Sequence, residues 1–226
     1  MTVPPLCDDG RVTTRPRTPA EAWAALAAGN ARFVSGRMLH PSQDAAHRAE
    51  LAESQQPFAV VFGCSDSRVA AEIVFDEGLG DVFVVRTAGH VIDSTVIGSI
   101  EYGVEVLGAP LVVVLGHDRC GAVTAARRAL AEGHLPDGMV RAVVDRVIPS
   151  IVGLTATGRD IADVDVEELA DEHLRATAHM LTDYSQALAR RVATGMCAVV
   201  AAAYTLADGA VRLVEAIGEL GETNEP

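Results

Sequence analysis

Four short apolar runs stand out along the chain: FAVVFG (58–63), VFVVR (82–86), LVVVLG (111–116) and CAVVAAAY (197–204). They are rich in valine and nearly continuous, without polar residues at every second place. Strands covered on both faces in a parallel sheet have this pattern. Between the runs lie segments that read as helices, at 94–108 and 121–133, and a long helical stretch from about 139 to 194. Strand–helix alternation predicts an α/β fold with right-handed crossovers. Near the end, YTLADGAVRLVEAI sets Asp208-Gly209 between two apolar runs. This is a hairpin signal, so the last strand is expected to be antiparallel. The predicted fold is therefore a mostly parallel central sheet, about four parallel strands plus a C-terminal antiparallel strand, flanked by helices.

The N-terminal part has a different pattern. Residues 1–19 are rich in Pro, Thr and Arg and are expected to form a flexible arm before a single domain spanning 20–226. TPAEAWAALAAGNARFVSGR then reads as a helix, with Thr18 as cap, Pro19 at the first position and Glu21 at the capping-box place. Gly29-Asn30 is expected to stop or break it before Phe33, and Trp23 to serve as a packing anchor. HPSQDAAHRAELAESQ predicts a loop followed by a short helix.

Composition narrows the classes. A chain of 226 residues, 49% hydrophobic and 22% charged, suits one large globular domain. Aromatics are only 4%, so aliphatic side chains must fill the core. A net charge of -13 disfavours nucleic acid or an anionic membrane as partner through the overall field. No apolar run approaches a membrane span, and the N-terminus carries no apolar signal core. The four cysteines, Cys7, Cys64, Cys120 and Cys197, are few and scattered. Reduced thiols in a cytoplasmic protein, free to bind metal, are the expectation.

Two strands end alike. VVFG leads into Cys64-Ser65-Asp66, and VVLG into His117-Asp118-Arg119-Cys120. Ligands of open α/β sheets bind beyond the carboxyl ends of the strands. If these strands are neighbours, Cys64, Asp66, His117 and Cys120 converge. Singly, each cysteine reads as an ordinary core thiol and His117 as a satisfied core histidine. Together, at matched strand ends, they suit Zn²⁺ better than the oxygen-preferring Mg²⁺ or Ca²⁺. Cys64, His117 and Cys120 make three firm ligands, and Asp66 an ambiguous fourth. Arg68 is placed to pair with Asp66 through two hydrogen bonds. With Asp66 on Arg68, one zinc position opens to water, whose pKa falls to about 7 on the metal. With Asp66 on zinc, that position is closed.

CSDSR followed by HDRCG resembles the β-class carbonic anhydrases, as do LAAGNARFVSGR, VVRTAGHVI and SIEYGVEVLGAPLVVVLGH, a pattern covering roughly residues 20–125. The resemblance implies a zinc enzyme that interconverts CO2 and bicarbonate by zinc-bound hydroxide. It also implies a homodimer or homotetramer with sites near the subunit interface and N-terminal helices embracing the partner. By motif position, Cys64, His117 and Cys120 are the implied zinc ligands. Asp66 and Arg68 are the dyad that orients the nucleophile, or lets Asp66 close the site as fourth ligand. Gln55 and the Gly121 amide are implied substrate contacts. Phe83 and Tyr102 are implied walls of the apolar pocket, lent across the dimer interface, with core packing as their rival role. His90 stands where relatives often carry Asn. It is read as a structural residue near the interface, with proton shuttling as the other reading. Two rival functions remain: CS2 or COS hydrolysis on the same scaffold, and a non-catalytic, zinc-stabilised oligomer with Asp66 permanently on the metal.

Overall fold

In the computed structural model, which describes residues 15–220, the predicted strands form one five-stranded sheet. They are β1 (Ala59–Cys64), β2 (Val82–Thr87), β3 (Leu111–His117), β4 (Ala198–Tyr204) and β5 (Val211–Ile217). The order across the sheet is β2-β1-β3-β4-β5. The first four strands are parallel to one another, and β5 runs antiparallel to β4. β1 and β3 are buried at every residue, whereas the edge strands β2 and β5 are partly covered. Double coverage explains the unbroken apolar runs, because neither face of a central strand meets water.

Alternate residues of each strand serve opposite faces. On one face Val61, Val113 and Val200 pack with Leu26 of α1 (Pro19–Val34) and Phe75, just after α3 (Ala71–Val74). On the other, Val60, Val112 and Val199 meet Ile100 of α4 (Ser94–Glu101), Leu174 and Leu181 of α7 (Val166–Tyr184) and Leu188 of α8 (Gln186–Ala193). A third cluster joins α5 (Gly121–Glu132), α6 (Val140–Ile151) and α7 directly beneath Cys64 and Cys120. The helical stretch predicted from 139 to 194 is thus three helices, with 3₁₀ turns at Val152–Thr157 and Ile161–Asp163 between α6 and α7. The predicted helix at 94–108 changes to a π-helical turn at Tyr102–Val106. The short helix expected after His40 is α2 (Ala45–Glu50).

Most of the expected arm, residues 1–14, lies outside the described residues. α1 begins with the predicted capping box: Thr18 Oγ1 accepts from the Glu21 amide, and Glu21 Oε2 accepts from the Thr18 amide, both at 3.2 Å. Trp23 is partly buried and packs on the core. The expected stop at Gly29-Asn30 is wrong, since α1 continues to Val34. Gly29 is there for close approach: a Cβ would stand 1.7 Å from the Phe75 carbonyl oxygen. Asn30 is buried and donates to the carbonyls of Val74 (3.0 Å) and Gly209 (2.8 Å) while accepting from the Val211 amide (2.9 Å). It ties α1 to the hairpin, whose turn holds Gly209 at φ +81°.

Candidate metal centre

Cys64 closes β1 and His117 closes β3, and these strands are paired with Gly63 opposite Leu115. Parallel register therefore delivers both side chains to one edge of the sheet. After His117 the chain must turn sharply, and Arg119 takes a left-handed conformation, φ +53°. For a non-glycine residue this is sparsely populated and must be imposed by its surroundings. The restraints are present: the Asp118 amide donates to the Tyr204 carbonyl (3.2 Å), and Asp118 Oδ1 accepts from the Leu206 amide (2.7 Å). The turn sets Cys120 immediately before α5 as its N-cap. The two sulfurs and a ring nitrogen of His117 lie within 4.8 Å of one another, and all three residues are buried.

The donor chemistry fits a metal ion. His117 Nδ1 donates to the Asp118 carbonyl at 2.7 Å, which leaves the lone pair on Nε2. That Nε2 atom is buried and has no hydrogen-bond partner. A buried polar atom without a partner is costly, and a metal ion facing it would remove the cost. The surroundings of the two sulfurs favour one negative charge between them. Contact with Cys120 holds the Cys64 thiol well below its ordinary value, against its burial, and the nearby His117 ring and the Asp66 and Gly89 amides act in the same direction. The same contact, together with burial, pushes Cys120 up, so the pair shares one proton. The Gly89 amide donates to Cys64 Sγ at 3.3 Å. Amides of Ala122 and Val123, in the first turn of α5, favour negative charge on Cys120. Two thiolates and an imidazole are a zinc-type donor set.

Asp66 is engaged elsewhere. Arg68 Nε donates to Oδ1 at 2.9 Å and Nη2 to Oδ2 at 2.7 Å, and the Arg68 amide adds a bond to Oδ1 at 2.9 Å. The Arg68 guanidinium holds this carboxyl far below the usual carboxylate range, against partial desolvation. Asp66 Oδ2 nevertheless stands 3.9 Å from His117 Nε2, so the carboxylate faces the ligand set while Arg68 occupies both its oxygens. Arg86, at the end of β2, braces the loop by donating to the Cys64 carbonyl (3.0 Å) and the Asp66 carbonyl (2.7 Å). Neither Arg86 nor Gly89 was singled out by the sequence reading. A charged residue closing the apolar VFVVR run was the available signal.

The remaining predicted site residues divide. Gly121 opens α5 beside Cys120. Gln55 is exposed ahead of β1, in a groove with Arg48, Leu51, Leu79 and Gly80. It lies beyond the amino end of a strand whose carboxyl end carries Cys64, about 20 Å away along six residues. Phe83 pairs in register with Val60, about 13 Å before Cys64 along the strand. It forms a tilted aromatic contact with Tyr102, ring centres 6.1 Å apart, and Tyr102 is exposed. Gln55, Phe83 and Tyr102 are thus separated from their own chain's ligand set. His90 is enclosed, edge-on to Phe62 at 6.4 Å and against His173 at 4.4 Å. Burial, with His173 and His117 nearby, drives its pKa well down.

The family model described as carbonic anhydrase matches residues 59–211. Carbonic anhydrase 2 of Mycobacterium tuberculosis is 55% identical over 204 residues, covering 90% of this chain and 97% of that protein. The chain belongs to the β-class carbonic anhydrase family. It is an enzyme of that family. The carbonic anhydrase of Mycolicibacterium smegmatis is similar to the same degree, 55% over 204 residues, with 90% and 97% covered. Among solved structures, a β-carbonic anhydrase from Coccomyxa in complex with acetazolamide superposes with a TM-score of 0.68 at 24% identity, covering 77% of this chain and 80% of that one. A tetrameric β-carbonic anhydrase from Sordaria macrospora gives 0.64 at 24%, covering 74% and 84%. Those structures share the fold. No helix among the described residues is long and apolar enough to cross a membrane.

Proposed function

We propose that this protein catalyses the reversible hydration of CO2 to bicarbonate and a proton, with zinc held by Cys64, His117 and Cys120. The observation that carries the reading is the pairing of a compact, buried Cys/His/Cys set with an adjacent carboxylate held by Arg68 instead of joining that set. When bound, zinc supplies the Lewis acid that brings the pKa of water to about 7. The chain's own residues supply orientation. Asp66, kept ionised by Arg68, accepts a hydrogen bond from the O–H of the attacking oxygen and so turns a lone pair toward the carbon of CO2. The Arg86 bonds to the Cys64 and Asp66 carbonyls keep that carboxylate in place. Asp66 is also the group that would close the site if it left Arg68 for the metal, since its Oδ2 already lies 3.9 Å from His117 Nε2.

Gly121, beside Cys120, offers a backbone amide to a substrate oxygen. Gln55, Phe83 and Tyr102 serve the pocket of a second copy, because each is remote from its own ligand set along the strands. The active form is therefore a homodimer or a homotetramer built from it. Two buried thiols side by side must stay reduced to act as ligands, which suits a cytoplasmic location. Stopped-flow CO2 hydration by zinc-loaded protein across pH, run beside CS2 and COS assays, tests the reading. CO2 turnover that rises with pH is expected. Full zinc content with no CO2 turnover would leave a structural metal, and turnover confined to CS2 or COS would change the substrate.

A further inference from the structure

Behind the candidate ligand set lies a chain of buried and half-buried polar groups that no catalytic step uses. His173, on α7, is fully enclosed, and its Nε2 lies 2.9 Å from the Gly89 carbonyl oxygen. A carbonyl only accepts, so Nε2 carries the proton. Burial lowers the pKa of this ring and keeps it neutral. Nδ1 is then a bare acceptor, and Ser150 Oγ of α6 stands 2.6 Å from it. The same hydroxyl lies 2.6 Å from the Val147 carbonyl, so its one proton is shared between two acceptors. The tautomer of His173 is thus set by the Gly89 carbonyl, and Ser150 on α6 meets the ring's other nitrogen.

Gly89 is where this chain meets the site. Its φ is +63°, and a Cβ would stand 2.5 Å from the Ala122 Cβ on α5. It is thus held between α5 on one side and His173 on the other. Its own amide donates to Cys64 Sγ. His90, next in the chain, is also left-handed at φ +41° and lies against the His173 ring at 4.4 Å. The left-handed backbone of His90, a non-glycine residue, needs external support, and the hydrogen bond from His173 to the carbonyl just before it contributes that support.

We infer that His173 is a positioning residue for the metal centre: with Ser150 it fixes Gly89 so that the Gly89 amide stays aimed at the sulfur of Cys64. This rests on Cys64 being a metal ligand, as proposed above. A donor on a thiolate ligand stabilises its charge and fixes its direction, and loss of such outer partners typically weakens metal binding by about 10–100-fold.

The test uses the full-length chain loaded with zinc or, separately, with cobalt. Zinc affinity is read by competition with a chelator, and ligand geometry by the thiolate-to-cobalt charge-transfer absorption. His173→Leu is expected to weaken zinc binding about tenfold and to shift the cobalt band. His173→Gln, which keeps an N–H near the Nε2 position, is expected to restore most of both. Ser150→Ala should weaken binding a few-fold. A folded His173→Leu protein with wild-type affinity and an unmoved band overturns the inference. So does a His173→Gln protein as impaired as His173→Leu, because packing alone would then explain the loss. If His173→Leu does not fold, Ser150→Ala decides: weaker binding with a shifted band supports the role, and wild-type values overturn it. Failure of the wild-type protein to bind zinc stoichiometrically would instead sink the metal reading itself.

Discussion

Two aspartate–arginine pairs lie ten residues apart in this chain and do different things. Asp76, after α3, is buried, and its side chain takes Arg32 Nε at 2.5 Å, the Leu39 amide at 3.1 and 2.9 Å and the His40 amide at 3.0 Å. Arg32 also reaches the Asp76 carbonyl at 3.2 Å. Asp66 has only Arg68 and its own local amide, is partly open to solvent, and faces an imidazole nitrogen that has no partner. The ion pair is chemically the same. In the first case, donors from two other segments saturate the carboxylate and lock a loop to α1. In the second, the pair is local to one turn, so breaking it disturbs little of the fold and leaves a carboxylate free to act. Saturation from distant segments marks the Asp76 pair as structural, and the incomplete shell beside an unpaired acceptor is what supports the role proposed for Asp66.

The comparison breaks most clearly at Asp76. Asp76→Ala removes the carboxylate from Arg32, which keeps only the backbone carbonyl of residue 76, and leaves two amides unsatisfied, so a loss of about 3–5 kcal/mol is expected in urea unfolding. Activity per folded molecule should stay close to wild type. Asp66→Ala should do the reverse. Hydration activity is expected to fall about 100-fold or more in stopped-flow assays, with zinc content and melting temperature nearly unchanged. An Asp66→Ala protein that keeps its activity removes the dyad from the mechanism. An Asp76→Ala protein that stays stable but loses activity erases the contrast.

A smaller effect sharpens the structural side. Gly29→Ala would press a methyl into the Phe75 carbonyl next to Asp76, at an expected cost of about 1–3 kcal/mol in the same titration. A neutral result would show that α1 can shift without disturbing the Asp76 loop. The smallest effect is in acid. Burial raises the pKa of Asp76, but the Leu39 and His40 amides and Arg32 outweigh it, and the net shift is downward. Its stabilisation is therefore present above the unfolded value, near pH 4, and is lost as pH falls through the lower folded value. Asp76→Asn should flatten the acid limb of a stability–pH curve relative to wild type, leaving the neutral-to-alkaline slope the same. Equal acid slopes would assign acid unfolding to other carboxylates.

Much of this was legible in one dimension. The valine-rich runs without alternation announced strands covered on both faces, and β1 and β3 are buried at every residue. The capping box at Thr18 and the turn at Asp208-Gly209 depend on residues close in sequence, and both are present. Gly29-Asn30 misled for the opposite reason. A glycine followed by asparagine reads as a stop from local propensity, yet the bonds of Asn30 run to Val74, Gly209 and Val211, far along the chain. Tertiary packing outweighed the local preference.

The site shows the same division. Residue types and strand-end positions were enough to nominate Cys64, His117 and Cys120, because donor chemistry is a property of the side chain and parallel strands end at one edge. Position in sequence could not say where Asp66 points, since both of its partners are within reach of the same short loop. Nor could it show that Arg86 braces that loop, that His173 reaches Gly89 across 84 residues, or that Gln55 and Phe83 stand away from the sulfurs of their own chain. Sequence alone determined the periodicity, the caps and the donor set, which are local. The register of β1 against β3, the packing of α5 and α7 around Gly89 and the direction of each donor came only with the tertiary structure, because they arise from contacts between segments that share no local signal.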